Sequence, residues 1–458
     1  METLFFHQNK PMFIQIYDHI KRNIANGSLH PGAKLPSKRK LALLQNVSIN
    51  TVESAYTQLE AEGYVKSIPR RGWFVLEFEP GVICFEEKPA PADSEPETVI
   101  NGNVIDFSQT VDPAKFPYAQ WKKCSAEALD HEELYHTGHP FGEAAFRREI
   151  ARYLHQTRGV RCRSNQVIVG CGTQMLLGKI SRMLKDSCIA VEDPGYHRTR
   201  QTLSNHRIEP IALDESGIQA EALAKTPASA VYVTPSHQFP LGTVMPVQRR
   251  MELLNWSALR SNAWIIEDDY DGEFRYEGKP IPSLHSLSEN GDVLYLGTFS
   301  KTFIPSLRIS YAVLPLKLLE SGQEELMTEK QTVSRFHQHA LSIFMANGWW
   351  EQHLNRMRTH YRKKHSLLLK HVNEVFKGDV RFIGEKSGTH FLLEVMNGMS
   401  EAELIASASQ HGVKVYPTSP YYIHSQPDRP LIFLGFGGVT EEEIKTGMLL
   451  LRKAWFDK

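Results

Sequence analysis

A lysine surrounded by hydroxyl-bearing residues follows an apolar segment in the C-terminal half of the chain. The segment VLYL is typical of a buried strand, and it runs into GTFSKTFIPSLRISY. Lys301 is therefore close in sequence to Thr298, Ser300 and Arg308. A lone lysine is usually a surface cation, but hydroxyls and a guanidinium beside the amine favour a site for a phosphate ester with an amine next to it.

Three other apolar segments end in residues that can bind or react. QVIV leads into GCGTQ, in which Gly172 and Thr173 open a helix whose free N–H groups can bind a phosphate. AWII leads into EDDYD, and AVYV leads into TPSHQFPLGTVMP. Because ligands of open α/β sheets bind beyond the carboxyl ends of the strands, we expect these four strand ends to converge on one site.

An amine, a carboxylate, a phosphate site and an aromatic ring together match the needs of pyridoxal phosphate (PLP). Its aldehyde forms a Schiff base with a lysine, its pyridine nitrogen needs a carboxylate to stay protonated, and its ring packs on a flat side chain. The carboxylate is either Asp268 or Asp269, and the two-residue period of a strand decides which of them faces the ligand. The rival interpretation, a magnesium site at these carboxylates, lacks an accompanying P-loop, and we expect no metal site.

The elements that position these residues follow two patterns along the chain. From residue 104 onward, short apolar strands alternate with helical segments, which predicts an α/β domain. Residues 1–78 instead predict a small helical module, in which Ser37 caps a helix with Leu41 and Leu44 facing inward and Ser48 caps the next helix. Two short helices joined by a tight turn are typical of a helix-turn-helix, whose second helix enters the major groove of DNA.

A basic hairpin follows these helices, with Arg70 and Arg71 at its tip. Residues 1–78 carry ten Lys and Arg but only six Asp and Glu, whereas the whole chain has 52 of each kind. Solvated basic hairpins occur in many proteins, so it is the order of helix, helix-turn-helix and basic hairpin that favours a winged helix. We expect that only this module meets a polyanion.

A proline-rich acidic segment separates the two patterns. Residues 79–100 hold four prolines and six acidic residues, with Lys88 as the only basic one. This composition favours an extended connector, so we predict a DNA-binding domain at 1–78, a linker at 79–103 and a larger domain at 104–458. A long surface loop within one domain is the alternative.

The overall composition excludes several classes of protein. Hydrophobic residues make up 41% of the chain, which is enough for a core, and zero net charge excludes a uniformly basic nucleic-acid coat. No apolar run approaches the roughly 18 residues that span a bilayer, and we find no secretory signal. Five cysteines without a C-x-x-C pair argue against a disulfide framework. We therefore expect a cytoplasmic protein with no membrane partner.

The N-terminal module resembles the GntR-type winged helix over residues 11–76. The resemblance rests on PMFIQIYDHIKRNIANGSLHPGAKLPSKRKLA, VSINTVESAYTQLEAEGYV and RRGWFV. It implies contacts to double-stranded operator DNA from the starts of two helices, namely Lys38, Arg39, Ser48, Asn50 and Thr51. Because Ile49 and Glu53 stand where the family often has basic residues, we expect more of the binding to come from Arg39 and from the hairpin residues Arg70 and Arg71.

The rest of the chain resembles the fold-type-I aminotransferase domain, through LYHTGHPFGEAAFRREIARYL, VGCGTQ, EDPGYHRTR, TPSHQFPLGTVMP, IIEDDYDGEFRY and YLGTFSKTFIPSLRISY. Together with the winged helix, it resembles the MocR/GabR-type transcriptional regulators. The resemblance implies that Lys301 binds PLP as a Schiff base, that Asp268 pairs with its pyridine nitrogen and that Tyr270 contacts its phenolic oxygen. It also implies a stacking ring and a set of phosphate ligands, namely Tyr196 for the ring and Thr173, Thr298, Ser300 and Arg308 for the phosphate, with Tyr135 of the partner subunit.

Two positions depart from typical aminotransferases. Phe239 stands in place of the asparagine of Asn-Pro-x-Gly, and Phe433 stands in place of the arginine that binds the α-carboxylate of the substrate. Arg198 matches the position that GabR-type regulators use for a ligand carboxylate. We therefore expect one carboxylate contact to remain and efficient transamination to be lost.

These observations predict a PLP-dependent, DNA-binding transcriptional regulator. Its aminotransferase-like domain would sense PLP itself, or an amine or amino-acid ligand, through aldimine chemistry at Lys301. The resemblance implies a homodimer, often head-to-tail. The main alternative is an active class I/II aminotransferase with an accessory DNA-binding domain, and a further one is a repressor whose large domain only dimerises.

Overall fold

The computed structural model of the chain describes a defined set of residues, which are 4, 6, 10–77, 104–108, 111–185, 187–276, 281–424, 427 and 429–457. Two compact units make up the chain, Met1–Val99 and Ile100–Lys458. The predicted linker, 79–103, lies outside the described residues, and the domain boundaries remain predictions. Within the described ranges, no helix combines the length and the apolar character needed to cross a bilayer.

The described residues of the N-terminal unit form three helices and an antiparallel hairpin. Its elements are α1 (Met12–Ala25), α2 (Lys38–Gln45), α3 (Ile49–Ala61), β1 (Val65–Ile68) and β2 (Gly72–Val75). Ser37 caps α2 by accepting a hydrogen bond from the N–H of Lys40 at 3.2 Å, and Ser48 caps α3 by accepting one from the N–H of Thr51 at 3.1 Å. Both predicted caps are confirmed, and they define the two helix starts that the helix-turn-helix needs.

The inward face of α2 differs from the prediction at one position. Leu41 is buried as expected, but Leu44 is 42% exposed, and Ala42 and Gln45 face the core instead. A helix of eight residues has a narrow buried face. In α2 this face consists of Leu41 and the residues one and four positions after it, Ala42 and Gln45. The side chain of Gln45 is further held by the N–H of Leu4, which donates to its Oε1 at 2.8 Å.

The larger unit contains the remaining elements. Its helices are α4 (Tyr118–Leu129), α5 (Ala144–Arg158), α6 (Thr173–Met183), α7 (His197–Thr202), α8 (Ala220–Ala224), α9 (Val247–Ala258), α10 (Leu284–Leu287), α11 (Leu316–Thr328), α12 (Arg335–Ala346), α13 (Trp349–Phe376), α14 (Glu401–Gln410) and α15 (Glu441–Trp455). Its strands are β3 (Ile105–Asp106), β4 (Val167–Cys171), β5 (Cys188–Asp193), β6 (Arg207–Asp214), β7 (Gly217–Ile218), β8 (Ala230–Val233), β9 (Trp264–Asp268), β10 (Val293–Thr298), β11 (Ile309–Val313), β12 (Val380–Ile383), β13 (His390–Val395), β14 (Val413–Lys414), β15 (Tyr416–Pro417) and β16 (Leu431–Gly435).

An eight-stranded sheet forms the centre of this unit, in the order β4-β11-β10-β9-β8-β5-β6-β7. Strands β10, β9, β8, β5 and β6 are parallel, and β11 runs antiparallel to both β10 and β4. The carboxyl ends of β4, β5, β8, β9 and β10 therefore lie along one edge. The predicted convergence of strand ends is confirmed.

A second, antiparallel sheet has the order β12-β13-β16-β15. Its buried side chains, such as Phe391 and Leu434, share a hydrophobic core with residues of α13 and α15, such as Leu368 and Leu451. A third, two-stranded sheet pairs β14 with β3 in parallel, so the described residues of the α/β unit form three sheets. The second sheet brings Tyr416 of β15 and Phe433 of β16 to the cavity described below.

Candidate functional site

A cavity of about 430 Å³ lies beyond the carboxyl ends of the central parallel strands. Ten of the residues predicted from the sequence line it: Gly172, Thr173, Tyr196, Arg198, Asp268, Tyr270, Thr298, Ser300, Lys301 and Arg308. Tyr135 does not line the cavity of its own chain, and it is 90% exposed. Its contact was expected from a partner subunit, and that contact remains a prediction.

One end of the cavity suits an anion. Helix α6 begins at Thr173, directly after Gly172, whose φ of +88° lies in the left-handed region that favours glycine. A Cβ on Gly172 would come within 2.6 Å of Arg308 Nη2, so the guanidinium packs against bare backbone. Thr298 Oγ1 accepts a hydrogen bond from the N–H of Ser300 at 3.1 Å. A guanidinium, two hydroxyls and a helix N-terminus together form a setting in which a phosphate is well bound.

The cavity also holds a carboxyl group and an amine. Asp268 is the last residue of β9; its Oδ2 accepts a hydrogen bond from the Tyr232 hydroxyl, and its Oδ1 is buried with no hydrogen-bond partner. Burial raises the pKa of Asp268 to about 7, and the hydrogen bond from Tyr232 opposes that rise. Lys301 Nζ lies 6.0 Å from the centre of the Tyr270 ring. Burial lowers the pKa of Lys301, and the carboxylates of Asp271 and Asp268 act against that lowering.

The neighbouring carboxylate, Asp269, faces the opposite side of the sheet. Its Oδ2 accepts hydrogen bonds from Arg158 Nε at 2.6 Å and from the Tyr295 hydroxyl at 2.6 Å. Burial alone would raise the pKa of Asp269, but Arg158 and Tyr295 hold it below its ordinary value. The two-residue period of β9 thus separates an acid in the cavity, Asp268, from an acid in a structural ion pair.

Aromatic rings line part of the cavity and pack against one another. The ring of Phe239 lies 5.3 Å from that of Tyr196, 4.8 Å from that of Tyr421 and 5.9 Å from that of Phe433. Phe433 also stacks on His390 at 4.5 Å. Neither departure from the aminotransferase pattern, Phe239 or Phe433, therefore leaves a hole, because both rings belong to one packed cluster.

Positive charge in the cavity is limited. Among the described residues that line it, Arg198 and Arg308 are the only arginines, and Lys301 is the only lysine. Arg198 lies on α7 and is exposed to solvent. The role of Arg198 as the contact for a ligand carboxylate remains a prediction.

Several lining residues were not predicted from the sequence: Ser108, Gln174, His197, Tyr232, Thr234, Pro305, Ser310, Tyr416 and Tyr421. Tyr232 and Ser310 could have been predicted from the sequence. Each lies on a strand, two positions from another lining residue, and side chains two positions apart on a strand face the same side. Tyr416 and Tyr421 had none, because they come from the C-terminal region that folds onto the site.

The predicted DNA-binding residues lie at the starts of α2 and α3 and at the turn of the hairpin. Five of them are exposed: Arg39, Ser48, Asn50, Arg70 and Arg71. Lys38 is half-buried, and its Nζ forms an ion pair with Glu53 Oε1 at 2.5 Å. Thr51 is also half-buried, and its N–H donates to the Ser48 cap. Glu53 thus neutralises Lys38, one of the two cations expected to face DNA at the start of α2. The other cation, Arg39, is the more exposed.

Comparisons with known proteins match two parts of the chain to two families. Residues 14–75 match the family "Bacterial regulatory proteins, gntR family", and residues 104–446 match "Aminotransferase class I and II". The uncharacterized HTH-type transcriptional regulator YhdI of Bacillus subtilis is 44% identical, covering 97% of this chain and 96% of its own. The probable rhizopine catabolism regulatory protein MocR of Rhizobium meliloti is 31% identical, covering 97% of this chain and 94% of its own.

A solved structure shows the same fold as the larger unit. LysN, an α-aminoadipate aminotransferase of Thermus thermophilus complexed with N-(5'-phosphopyridoxyl)-L-leucine, has a TM-score of 0.69 and 24% identity, covering 77% of this chain and 92% of that one. At this identity the likeness concerns the fold alone.

These findings define a class of protein in which a winged-helix DNA-binding domain and an aminotransferase-fold domain share one chain. The chain belongs to the MocR-type family of HTH-type transcriptional regulators. It is a DNA-binding transcriptional regulator with an aminotransferase-like domain, and both the predicted fold class and the family resemblance are confirmed.

Proposed function

We propose that the aminotransferase-like domain binds PLP at Lys301 and uses it to sense an amine, an amino acid or PLP itself. The observation that carries this proposal is one cavity in which the Lys301 amine, the unpartnered Oδ1 of Asp268 and the anion site at Arg308 lie together. Further support comes from LysN, the relative in fold that was solved with a phosphopyridoxyl compound.

The residues present fit this cofactor. Because Gly172 has no Cβ, the Arg308 guanidinium lies against the start of α6, and a guanidinium beside the free N–H groups of a helix start suits a phosphate. The buried Oδ1 of Asp268 lacks a hydrogen-bond donor, which a protonated ring nitrogen would supply. A cationic nitrogen there would also lower the pKa of Asp268 again, from about 7 toward its ordinary value.

The chemistry of the chain's own residues follows from their surroundings. When bound, the cofactor would supply an aldehyde carbon with which either the lysine amine or a ligand amine can condense. Burial lowers the pKa of Lys301, so a larger fraction of its amine is neutral and can attack a carbonyl carbon. The Tyr232 hydroxyl orients Asp268, which would hold the proton on the ring nitrogen of the cofactor. Thr298, Ser300 and Arg308 would hold its phosphate.

We further propose that this site senses ligands and does not turn them over efficiently. Transamination needs the ligand held so that one particular bond stands perpendicular to the cofactor ring, and a second carboxylate contact provides that orientation. Phe433 has an apolar ring, so it offers a ligand neither charge nor a hydrogen bond. The ring is 5% exposed and stacks on His390. Arg198 can anchor a carboxylate without fixing that bond.

For the assembly, we propose a head-to-tail homodimer that binds double-stranded operator DNA through its two winged helices. The support is the exposed set of polar and basic residues at the helix starts and the hairpin, together with the exposed ring of Tyr135. Ligand binding then changes operator affinity by favouring one conformation of the dimer, and DNA changes ligand affinity by the same factor.

Borohydride reduction tests the cofactor assignment directly. Purified full-length protein loaded with PLP is expected to show a visible absorption band that borohydride bleaches, leaving a covalent label on the peptide containing Lys301. Lys301→Arg keeps the charge but is expected to lose the label. Lys179→Arg is the matched control, because Lys179 is the buried lysine of α6 and pairs with Glu329 at 3.1 Å outside the cavity. A label that survives in Lys301→Arg would refute the assignment.

A further inference from the structure

A pair of ionisable side chains lies beside the cavity. His237, in the loop after β8, and Asp271, in the loop after β9, are each 1% exposed. Nδ1 of His237 lies 2.8 Å from Oδ2 of Asp271. The two residues are 34 positions apart in the sequence and follow different strands, so the tertiary structure alone brings them together.

The contacts of this pair determine which atoms donate. An ionised carboxylate can only accept, so the Nδ1–H of His237 donates to Asp271. The Tyr270 hydroxyl lies 3.1 Å from the same Nδ1, and it donates instead to the main-chain oxygen of His237 at 2.9 Å. Burial, followed by the charge of Asp271, raises the pKa of Tyr270 well above its ordinary value, which keeps this hydroxyl protonated. Tyr270 is therefore fixed as a donor to His237 and keeps its oxygen lone pairs.

The space around the pair is closed. A Cβ on Gly388 would lie 2.0 Å from Cε1 of His237 and 2.7 Å from Oδ2 of Asp271. The ligand atoms of His237, Asp271 and His390 lie within 4.8 Å of one another, a spacing at which such groups could bind a metal ion. However, its Nε2 lies 3.2 Å from the main-chain oxygen of Pro240, and Nδ1 of His237 already donates to Asp271. A hydrogen-bonded pair explains these contacts better than a metal site does.

We propose that His237 and Asp271 are positioning residues of the cofactor site: Asp271 keeps a negative charge beside the Lys301 amine, and His237 fixes both that carboxylate and the Tyr270 hydroxyl. This inference rests on the proposed function, since it assigns roles within the same site. Asp268 and Asp271 thereby place two carboxylates near one lysine, and only Asp268 is positioned for the ring nitrogen.

The charges around Lys301 make the proposal measurable. Burial lowers the pKa of Lys301, and Asp271 acts against this more strongly than Asp268 does. The ionisable groups that face Asp271 from the surrounding loops and strands are His237, Asp268, Tyr270, Tyr276 and Lys301, with His390 next to His237. Of these, Lys301 is the only lysine, so removing the Asp271 charge acts mainly on its ammonium form.

The primary test measures the ionisation of Lys301 in the full-length protein without cofactor. Trace labelling with acetic anhydride across a pH series, read by peptide mass spectrometry, gives the pH midpoint at which this amine becomes reactive. Asp271→Asn keeps an acceptor for His237 but removes the charge, so the midpoint is expected to fall by about 1 pH unit or more. Glu273→Gln is the matched control in the same loop, where Glu273 accepts from the Tyr153 hydroxyl at 2.8 Å, and it is expected to leave the midpoint unchanged.

Two substitutions of His237 separate positioning from simple packing. His237→Leu removes the hydrogen bond that holds the Asp271 carboxylate in place, so the midpoint of Lys301 is expected to fall. His237→Asn offers an amide donor close to the original Nδ1 and is expected to return the midpoint toward the wild-type value. Equal midpoints for these two variants would contradict the proposed role of His237, and they decide the question even if Asp271→Asn does not fold.

The same variants loaded with PLP separate this inference from the proposed function. The pH at which the visible spectrum changes is expected to shift downward in Asp271→Asn, in parallel with the labelling midpoint. If PLP attaches to Lys301 but neither midpoint moves in Asp271→Asn, the inference is overturned and the proposed function stands. If the labelling midpoint falls but PLP attaches to no variant, the proposed function fails while the charge of Asp271 beside Lys301 is upheld.

Discussion

Replacing Asp268 by asparagine is expected to stabilise the cofactor-free protein while it weakens PLP binding. Burial raises the pKa of Asp268 from 3.8 to about 7 in the folded chain. Between these two values the folded state holds a proton that the unfolded state has lost, so the free energy of unfolding falls as the pH rises. Asparagine cannot ionise, yet its Oδ1 can still accept the hydrogen bond from Tyr232.

The magnitude follows from the two pKa values, since a tenfold change in an ionisation constant corresponds to about 1.4 kcal/mol. The full cost of ionising Asp268 is then about 4 kcal/mol above pH 7, of which about 1–2 kcal/mol is already present at pH 5. When the pH is raised from 5 to 8, the free energy of unfolding of Asp268→Asn relative to wild type should therefore increase by about 2–3 kcal/mol. Urea unfolding of the cofactor-free, full-length protein at both pH values measures this difference.

Asp269→Asn is the matched control because it makes the same substitution one residue away. It breaks the buried ion pair with Arg158, which typically costs about 3–5 kcal/mol, so this variant should be destabilised at both pH values. With PLP at about 100 times its dissociation constant, wild type should gain about 2.7 kcal/mol and Asp268→Asn clearly less. The reasoning is refuted if Asp268→Asn is destabilised at pH 8, or if its stability relative to wild type is the same at pH 5 and pH 8.

Four further outcomes are expected. Arg39→Ala should weaken operator binding by about 1–3 kcal/mol in fluorescence anisotropy, whereas Arg22→Ala on the exposed side of α1 should not; equal affinities for Arg39→Ala and wild type would show that the DNA-reading surface lies elsewhere. Binding by the dimer should also weaken about 10³–10⁵-fold between roughly 50 and 200 mM salt, if it makes about 6–10 phosphate contacts. Burial raises the pKa of Glu192 from 4.5 to about 7, so Glu192→Gln should gain up to about 3 kcal/mol over wild type as the pH rises through that interval, measured by urea unfolding; a gain that does not depend on pH would contradict this. Single-turnover spectroscopy of PLP-loaded protein with a panel of amino donors should show a spectral change and altered operator affinity without pyridoxamine phosphate accumulating, and sustained turnover with a keto acid would overturn the sensing proposal.

The local sequence alone was enough to predict the caps and the strand ends. Ser37 and Ser48 cap their helices through bonds that span three residues, so neighbouring residue types are sufficient to identify them. Lys301 and its phosphate-type neighbours lie within one segment of eleven residues, 298–308, that leaves a strand of the sheet. Such features need no knowledge of distant contacts, and the convergence of strand ends follows from the parallel arrangement that an alternating α/β pattern predicts.

The choice between Asp268 and Asp269 lay at the limit of what the sequence can determine. The two-residue period of a strand separates the two side chains, and it was the family resemblance that favoured Asp268 as the one facing the ligand. The tertiary structure decides this, because Arg158, 111 residues away in the sequence, pairs with Asp269 and leaves Asp268 to the cavity. The exposure of Leu44 has a similar origin, since only the position of α2 against the rest of its unit defines which narrow face is buried.

Only the tertiary structure brings together the aromatic rings of the cavity and the pair formed by His237 and Asp271. Tyr421 and Phe433 reach the cavity because the C-terminal sheet packs there, and His237 meets Asp271 because two loops from separate strands run side by side. No periodicity in the local sequence carries information about such pairings, since each depends on how whole elements pack. The lysine proposed to bind the cofactor was therefore predictable from its own segment, whereas the carboxylates and rings around it come together only in the folded chain.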